Sequence, residues 1–246
     1  MEGVESAIIV RVRAQCAAIL NRFRHGKDDP RIDAMRRYMN MSGNYDIDTD
    51  FVDLLLEKII PESAKSFLDL GCASGNLLKE IKNTRAGSDT KGIDLNPKFV
   101  ITANKEGIDC DVGFIDDELT INHLYDCVIT NLTLDRVADP KKLIENVYSS
   151  TKEGGVFVIG TLLPIESHDA RFTDGKTTEY TPQAKKLTKG RSEEADKADL
   201  LAYLKSNFNT NVSVERYPYR QKGKEIGNYY LLHATKTKTQ AEAVDG

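Results

Sequence analysis

The stretch Ser66-Phe67-Leu68-Asp69-Leu70-Gly71-Cys72-Ala73-Ser74-Gly75-Asn76 decides the fold. Its first five residues form a short apolar run that ends at glycine, and Leu77 to Ile81 resume helical spacing. The pattern reads as a strand that enters a glycine-containing turn and leaves as a helix. Glycine at 71 and 75 lets the backbone turn sharply and lets a ligand approach the main chain. The helix start supplies free N–H groups. A dinucleotide fingerprint G-x-G-x-x-G would need glycine at 73 and 76, where the chain has Ala73 and Asn76. The shorter pattern G-x-G-x-G fits at 71 and 75, with Ala73 one methyl away. Asp69, just before the first glycine, would repel a pyrophosphate and suits a cationic ligand group.

Outward from that stretch, Gly92-Ile93-Asp94-Leu95 reads as a second strand and Phe99 to Ala103 as the start of a helix. Cys110 to Ile115 reads as a third strand and Asp126 to Thr130 as a fourth, followed by a helix over Lys141 to Ser149. Gly155 to Thr161 reads as a fifth strand. Strands alternating with helices predict a parallel sheet with helices on both faces. Asp94 ends the second strand. Its distance from Gly71 is close to the spacing of about 20 residues at which such folds place a ribose-binding acid.

Before Pro61 the spacing predicts helices over Val4 to Arg24, Ile32 to Met41 and Phe51 to Ile60. After Pro164 a polar stretch runs to Arg191. A helix is then predicted over Ala195 to Phe208, with strands over Val212 to Tyr219 and Tyr229 to Leu232 paired antiparallel. The division expected is a helical cover over 1–62, a core over 63–235 with an inserted lid segment over 164–191, and a polar tail over 236–246.

The 246 residues are enough to bury a sizeable core. They carry 34 basic and 38 acidic side chains, net −4, so there is no basic excess to hold nucleic acid by charge. No apolar run approaches the roughly 20 residues that span a bilayer. The start, Met1-Glu2-Gly3, lacks the basic stretch of a signal peptide. Cys16, Cys72, Cys110 and Cys127 form no C-x-x-C pair, so neither a zinc site nor a disulfide framework is expected, and a cytoplasmic setting fits.

With these residues in view, the chain resembles the class I S-adenosylmethionine-dependent methyltransferases, in particular their small-molecule branch. The resemblance rests on Asp69 to Gly75, Gly92-Ile93-Asp94, Tyr125 to Ile129, Glu153-Gly154-Gly155 and the segment Asn131 to Pro140. It implies a Rossmann-like, seven-stranded, mostly parallel sheet with an antiparallel last strand. It also implies S-adenosylmethionine as cofactor, with Gly71, Ala73 and Gly75 along its methionine and ribose and Asp69 toward the ammonium. Asp94 would take the ribose hydroxyls, with Leu95 and Asn96 beside the adenine. Asp116, next to Ile115, would meet the adenine amino group, with Asp117 as its rival, and Asn131 would sit by the methionine end. Asp135 and Arg136 stand where many members of that branch carry histidines. No Pro-Pro-aromatic motif follows Asn131, so amino-group methylation of nucleobases is not expected.

Methyl transfer needs mainly in-line positioning and exclusion of water. A base is needed only for a protonated acceptor, and His168, Asp135, Tyr180 and Asp169 are the candidates. Tyr38 and Tyr45 could reach the site from the helical cover. Basic clusters at Lys185, Lys186, Lys189 and Arg191, and at Arg216, Arg220, Lys222 and Lys224, favour a small anionic acceptor or an acidic carrier protein. The alternatives are methyl esterification of a carrier-bound acid and a non-catalytic cofactor-binding sensor. A small-molecule acceptor, with no nucleic acid, no membrane and a monomer or dimer, completes the expectation.

Overall fold

A computed structural model describes residues 2–22, 49–119, 121–134, 136–137, 139–163, 193–208, 210–221 and 224–237. The elements are α1 (Glu2–Arg22), α2 (Thr49–Leu54) running into a π-helical turn (Leu55–Ile59), β1 (Ser66–Leu70), α3 (Asn76–Thr84), β2 (Asp89–Asp94), α4 (Pro97–Lys105), β3 (Asp109–Val112), β4 (Tyr125–Asn131), α5 (Pro140–Ser150), β5 (Thr151–Leu163), α6 (Glu193–Phe208), β6 (Ser213–Gln221) and β7 (Lys224–Thr235).

The seven strands form one sheet in the order β3-β2-β1-β4-β5-β7-β6. The first five are parallel, and β7 runs antiparallel between β5 and β6. This is the Rossmann-like arrangement the sequence predicts. The strand order reverses between β1 and β4, and a crevice at the carboxyl ends of such strands is where α/β sheets bind ligands.

All five residues of β1 are buried, which explains why Phe67, Leu68 and Leu70 face both cores and makes the carboxyl of Asp69 an exception. Alternate side chains feed two cores. Phe67, Cys127, Ile129, Val158 and Leu231 pack on one face with Val12 of α1, Leu55, Leu78 of α3 and Val100 of α4. Leu68, Leu70, Val128, Phe157 and Leu232 pack on the other with Leu143 and Val147 of α5 and Leu200 and Leu204 of α6. The molecule therefore has three layers, with helices on both faces.

Several boundaries differ from the expected ones, the second strand starting at Asp89 and the last running from Lys224 to Thr235 among them, and two differences have a plain physical reason. The third strand stops at Val112 rather than Ile115, because its neighbour β2 ends at Asp94 and offers nothing further to pair with. The fifth strand runs from Thr151 to Leu163, longer than expected, because Thr151 already pairs with Tyr125 of β4 and β7 pairs with its far part out to Leu163.

Within the expected helical cover, α1 lies against the outer edge of β3. Arg11 donates to the Cys110 carbonyl at 2.9 Å and to the Asn104 side chain. Gln15 donates to Asp111 at 2.6 Å and accepts from the Val112 N–H at 3.1 Å. The helix thus shields an edge that would otherwise expose a free ladder. The helix expected over 32–41, with Tyr38 and Tyr45, lies outside the described residues, as do the 164–191 segment and most of the 236–246 tail. Among the described residues, no helix is long and apolar enough to cross a membrane.

At the opposite end of the sheet from the crevice, Asp126 ties β1 to β4. One carboxylate oxygen accepts from the N–H groups of Lys65 and Ser66, each at 2.9 Å, and the other from Lys152 Nζ at 2.7 Å. Despite partial desolvation, these donors hold its pKa down at about 2. A lowered folded pKa contributes stability above the unfolded value near 4, and the contribution is lost as pH falls through about 2. Solvent around this partly exposed carboxylate screens its charge, which keeps the contribution small. Asp126→Asn should therefore cost about 1 kcal/mol at pH 7 and much less near pH 2. Urea denaturation at the two pH values measures this, and an equal cost at both would contradict it.

Candidate active site at the carboxyl ends of the central strands

The turn between β1 and α3 is built on three residues with positive φ: Gly71 at 91°, Ala73 at 46° and Gly75 at 78°. Glycine adopts such angles without a Cβ penalty, whereas alanine resists them. Ala73 is held there by its N–H, which donates to Asp94 Oδ2 at 2.9 Å. The N–H groups of Gly71 and Cys72 both reach the Ile93 carbonyl, at 2.8 and 3.3 Å. The turn is therefore clamped to the tip of β2.

Asp94 is buried, and its other oxygen accepts from the Asn96 N–H at 2.8 Å. Burial raises its pKa, while the N–H groups of Asn96 and Ala73 and the charge of Arg136 pull it back down. Asn96 is fully buried and caps α4, accepting from the Lys98 N–H at 3.0 Å. Leu95 beside it is half-buried.

Asp69 lies one strand over from Gly92, in register with it, and is 4% exposed. Its Oδ1 has no hydrogen-bond partner among the described residues. Burial first, and the neighbouring Asp94 charge second, raise its pKa to about 7. A buried carboxyl with an open oxygen beside a second acid is a site for a cation.

Gly92 carries no side chain between two thiols. A Cβ there would stand 2.5 Å from Cys72 Sγ and 2.6 Å from Cys110 Sγ. The thiols themselves lie 3.6 Å apart, both buried, and pack as apolar groups under the turn.

On the other side of the crevice, Asn131 ends β4. Its Oδ1 accepts from the Tyr229 hydroxyl of β7 at 2.8 Å. Leu132 follows with a positive φ of 51°. Thr133 then folds back, donating its hydroxyl to the Asn131 carbonyl at 2.8 Å. Its side chain fills the space where a Gly71 Cβ would be. Phe51 packs edge-on against Tyr229, with centroids 5.6 Å apart, and brings the end of α2 to the same rim.

Ile115 is buried in the second core. Asp116 is also buried, and its carboxylate accepts from the Asp139 N–H at 3.1 Å, which links the loop after β3 to the start of α5. Asp69, Gly71, Ala73, Gly75, Asp94 and Asn96 thus gather around one turn, with Asn131 at the neighbouring strand end. Asp116 stands by the loop before α5. His168, Asp135 and Tyr180 lie outside the described residues, as do Asp169, Lys185, Lys186, Lys189, Arg191, Lys222 and the side chains of Arg220 and Lys224. Arg216 is an exposed residue of β6. Among the described residues, no group of three or more His, Cys, Asp or Glu could hold a metal ion.

Three residues of this rim were not marked by sequence pattern: Thr133, Gly160 and Tyr229. Thr133 sits in a segment the motif reading includes, but its contact with Gly71 joins two parts of the chain that lie far apart in sequence. Tyr229 reaches Asn131 across β5, over Gly160, so only the sheet order reveals the contact.

Residues 35–214 match the family model described as "Methyltransferase domain". A carboxy-S-adenosyl-L-methionine synthase of Campylobacter concisus is 29% identical over 163 residues, covering 64% of this chain and 68% of that protein. A ubiquinone biosynthesis O-methyltransferase of Ralstonia nicotianae is 26% identical over 114 residues, covering 44% of this chain and 47% of that protein. Among solved structures, a Haemonchus contortus phospholethanolamine N-methyltransferase 2 superposes with a TM-score of 0.58 at 14% identity. This chain covers 59% of that one, with 88% of its own length, and the likeness is one of fold. With the family model spanning most of the chain and the crevice built as described, the chain belongs to the methyltransferase-domain family and is a class I, S-adenosylmethionine-dependent methyltransferase.

Proposed function

We propose that the protein transfers a methyl group from S-adenosylmethionine to a small anionic metabolite, with the turn 71–75 and Asp94 as the cofactor cradle. The observation that carries this reading is the buried Asp69 carboxyl with an open oxygen beside Asp94. That pairing of acids suits a nucleoside that carries a cationic group, and it disfavours a pyrophosphate. Each Asp94 oxygen accepts one backbone N–H and keeps a lone pair for a ribose hydroxyl. The missing side chain at Gly71 lets Thr133 close against the turn, which fixes the cradle's shape.

When bound, the cofactor supplies an electrophilic sulfonium methyl. The protein's part is to orient the acceptor and keep water away, for which the carboxyl ends of β4 and β5 and the Phe51 rim are suited. Arg136, exposed in the loop after β4 and close enough to act on the Asp94 charge, supports an anionic acceptor, as does Arg216 on β6. His168, Asp135 and Tyr180 are the proposed bases. For an acceptor that must lose a proton, replacing the one that serves should slow turnover by roughly 10²–10⁴-fold. The adenine contacts proposed are Leu95, Asn96, Ile115 and Asp116.

Calorimetry with S-adenosylmethionine, S-adenosylhomocysteine and NAD tests the cofactor assignment, and labelled methyl donor with pooled metabolites tests the acceptor. Binding of NAD alone would overturn the reading. Cofactor binding with no labelled product from any anionic pool would favour a sensor role. Asp94→Ala should weaken S-adenosylhomocysteine binding roughly ten- to a hundred-fold, the scale of hydrogen bonds to a charged group. Unchanged affinity would remove Asp94 from the ribose.

The Campylobacter relative's name supports a second reading, in which the product is a carboxylated S-adenosylmethionine rather than a methylated acceptor. Mass spectrometry of the nucleoside products separates the two.

A further inference from the structure

We infer that Tyr229 is a positioning residue. Through Asn131 it turns a side-chain amide donor toward the crevice to take the carboxylate at the amino-acid end of the bound cofactor. This inference rests on the cofactor reading above and adds to it a residue from the far strand β7.

Three observations carry it. The Tyr229 hydroxyl donates to Asn131 Oδ1 at 2.8 Å, which commits the oxygen side of the amide to the protein. The amide's Nδ2 is thereby left for another acceptor, and Asn131 is only half-buried at the strand tip that borders the crevice. Gly160 of β5 lies beneath the pair. A Cβ there would overlap both the Tyr229 hydroxyl and Asn131 Oδ1, and would stand 2.9 Å from Tyr229 Cζ. The contact therefore exists because β5 carries no side chain at that point. Packing of Phe51 against the ring adds a second restraint on Tyr229.

Burial pushes the Tyr229 phenol well above its ordinary range, with Tyr217 adding to the effect, so the hydroxyl stays a donor near neutral pH. In a flipped state the amide would donate to the phenol oxygen, and the hydroxyl would lose Asn131 Oδ1 as its acceptor.

The sheet supplies the reason for a carboxylate. Asp69 and Ile129 are partners in the β1–β4 register, and Phe67, Cys127 and Ile129 share one core, so Asp69 and Asn131 lie on that same face. Asn131 stands two residues beyond Ile129, about 7 Å farther along the strand. An open carboxyl oxygen on one row and an amide donor on the next complement the ammonium and the carboxylate of an α-amino acid. A neutral or purely cationic ligand end would leave the amide donor unused.

The test compares two probes by calorimetry. S-adenosylhomocysteine carries the carboxylate, and decarboxylated S-adenosylmethionine lacks it. Tyr229→Phe keeps the ring and its packing but frees the amide to rotate. It should weaken S-adenosylhomocysteine binding about three- to ten-fold and leave the decarboxylated compound within two-fold of wild type. Asn131→Asp keeps an oxygen for Tyr229 and replaces the donor with a second oxygen. It should weaken S-adenosylhomocysteine by more than ten-fold and leave the decarboxylated probe unweakened.

Equal losses for both probes in either variant would assign the pair a merely structural role and overturn the inference. Unchanged affinity for S-adenosylhomocysteine in both variants would do the same. Wild-type protein that binds neither probe would instead bring down the cofactor reading itself.

Discussion

Asp69→Asn should make the ligand-free protein more stable at pH 8 and at the same time weaken its hold on S-adenosylhomocysteine. Buried and next to Asp94, the Asp69 carboxyl titrates near 7 rather than near 3.8. A raised folded pKa means that the folded state prefers the proton. The stabilisation is fully present below the unfolded value near 3.8 and is lost as pH rises through about 7. Above that pH a charge must be kept in the interior. A difference of about three pH units corresponds to an upper bound of about 4 kcal/mol. An uncharged Asn avoids that penalty but buries an amide with incomplete hydrogen bonding, at about 1–3 kcal/mol. The net gain expected at pH 8 is about 2 kcal/mol, shrinking toward zero or reversing near pH 5.

The charges that act on Asp69 or its neighbour include Asp94 at the tip of β2 and Arg136 after β4. The thiols of Cys72 and Cys127, both pushed up by their surroundings, remain neutral across this range. Denaturant melts across pH 5–8 measure the stability limb, and calorimetry at pH 8 measures the binding limb. Loss of stability at pH 8 together with undiminished ligand affinity would show that the Asp69 carboxyl is not held open for a cation.

Gly71→Ala is expected to cost about 2–5 kcal/mol of folding stability, the range of a severe single substitution. Two costs combine. A φ of +91° is strained for any residue with a Cβ, at about 1–3 kcal/mol. The new methyl also overlaps Thr133 Oγ1 and stands 2.6 Å from Cγ2, and such overpacking adds about 1–3 kcal/mol. Set against a typical stability of about 5–15 kcal/mol, this is a large share.

The two causes are separable. Thr133→Ala removes the two nearest atoms and gives up the hydroxyl's bond to the Asn131 carbonyl, worth about 1 kcal/mol. In the double variant the steric part should largely disappear and the backbone part remain. A double-mutant cycle read by urea denaturation should therefore show a favourable coupling of about 1–2 kcal/mol. Strict additivity would mean that Thr133 does not pack on the turn. A cost for Gly71→Ala below about 0.5 kcal/mol, the level of an ordinary surface substitution, would mean that the turn tolerates a side chain.

The central strands, the turn at 71–75 and the acid at 94 were legible in the sequence because each is a local signal. An apolar run buried on both faces, a pair of nearby glycines and a carboxylate at a strand end are fixed by short-range chemistry. The separation of Gly71 from Asp94 follows from the length of one helix and one strand. The antiparallel ending was legible too, since adjoining strands with a short connection pair that way.

Other features had no local signature. The loop from Ile115 to Asp117 offered Asp116 with Asp117 as its rival, and only packing shows that Asp116 accepts from the Asp139 N–H at the start of α5. From sequence, α1 reads simply as an amphipathic helix. Its place on the β3 edge follows from Arg11 and Gln15 meeting groups far along the chain. Thr133 against Gly71, and Tyr229 over Gly160 onto Asn131, arise from strand order. Thus the chain alone determined which residues bend, bury and carry charge, because those properties depend on neighbours within a turn or two. The tertiary structure decided which of them meet, because contacts across a sheet depend on how distant strands are ordered.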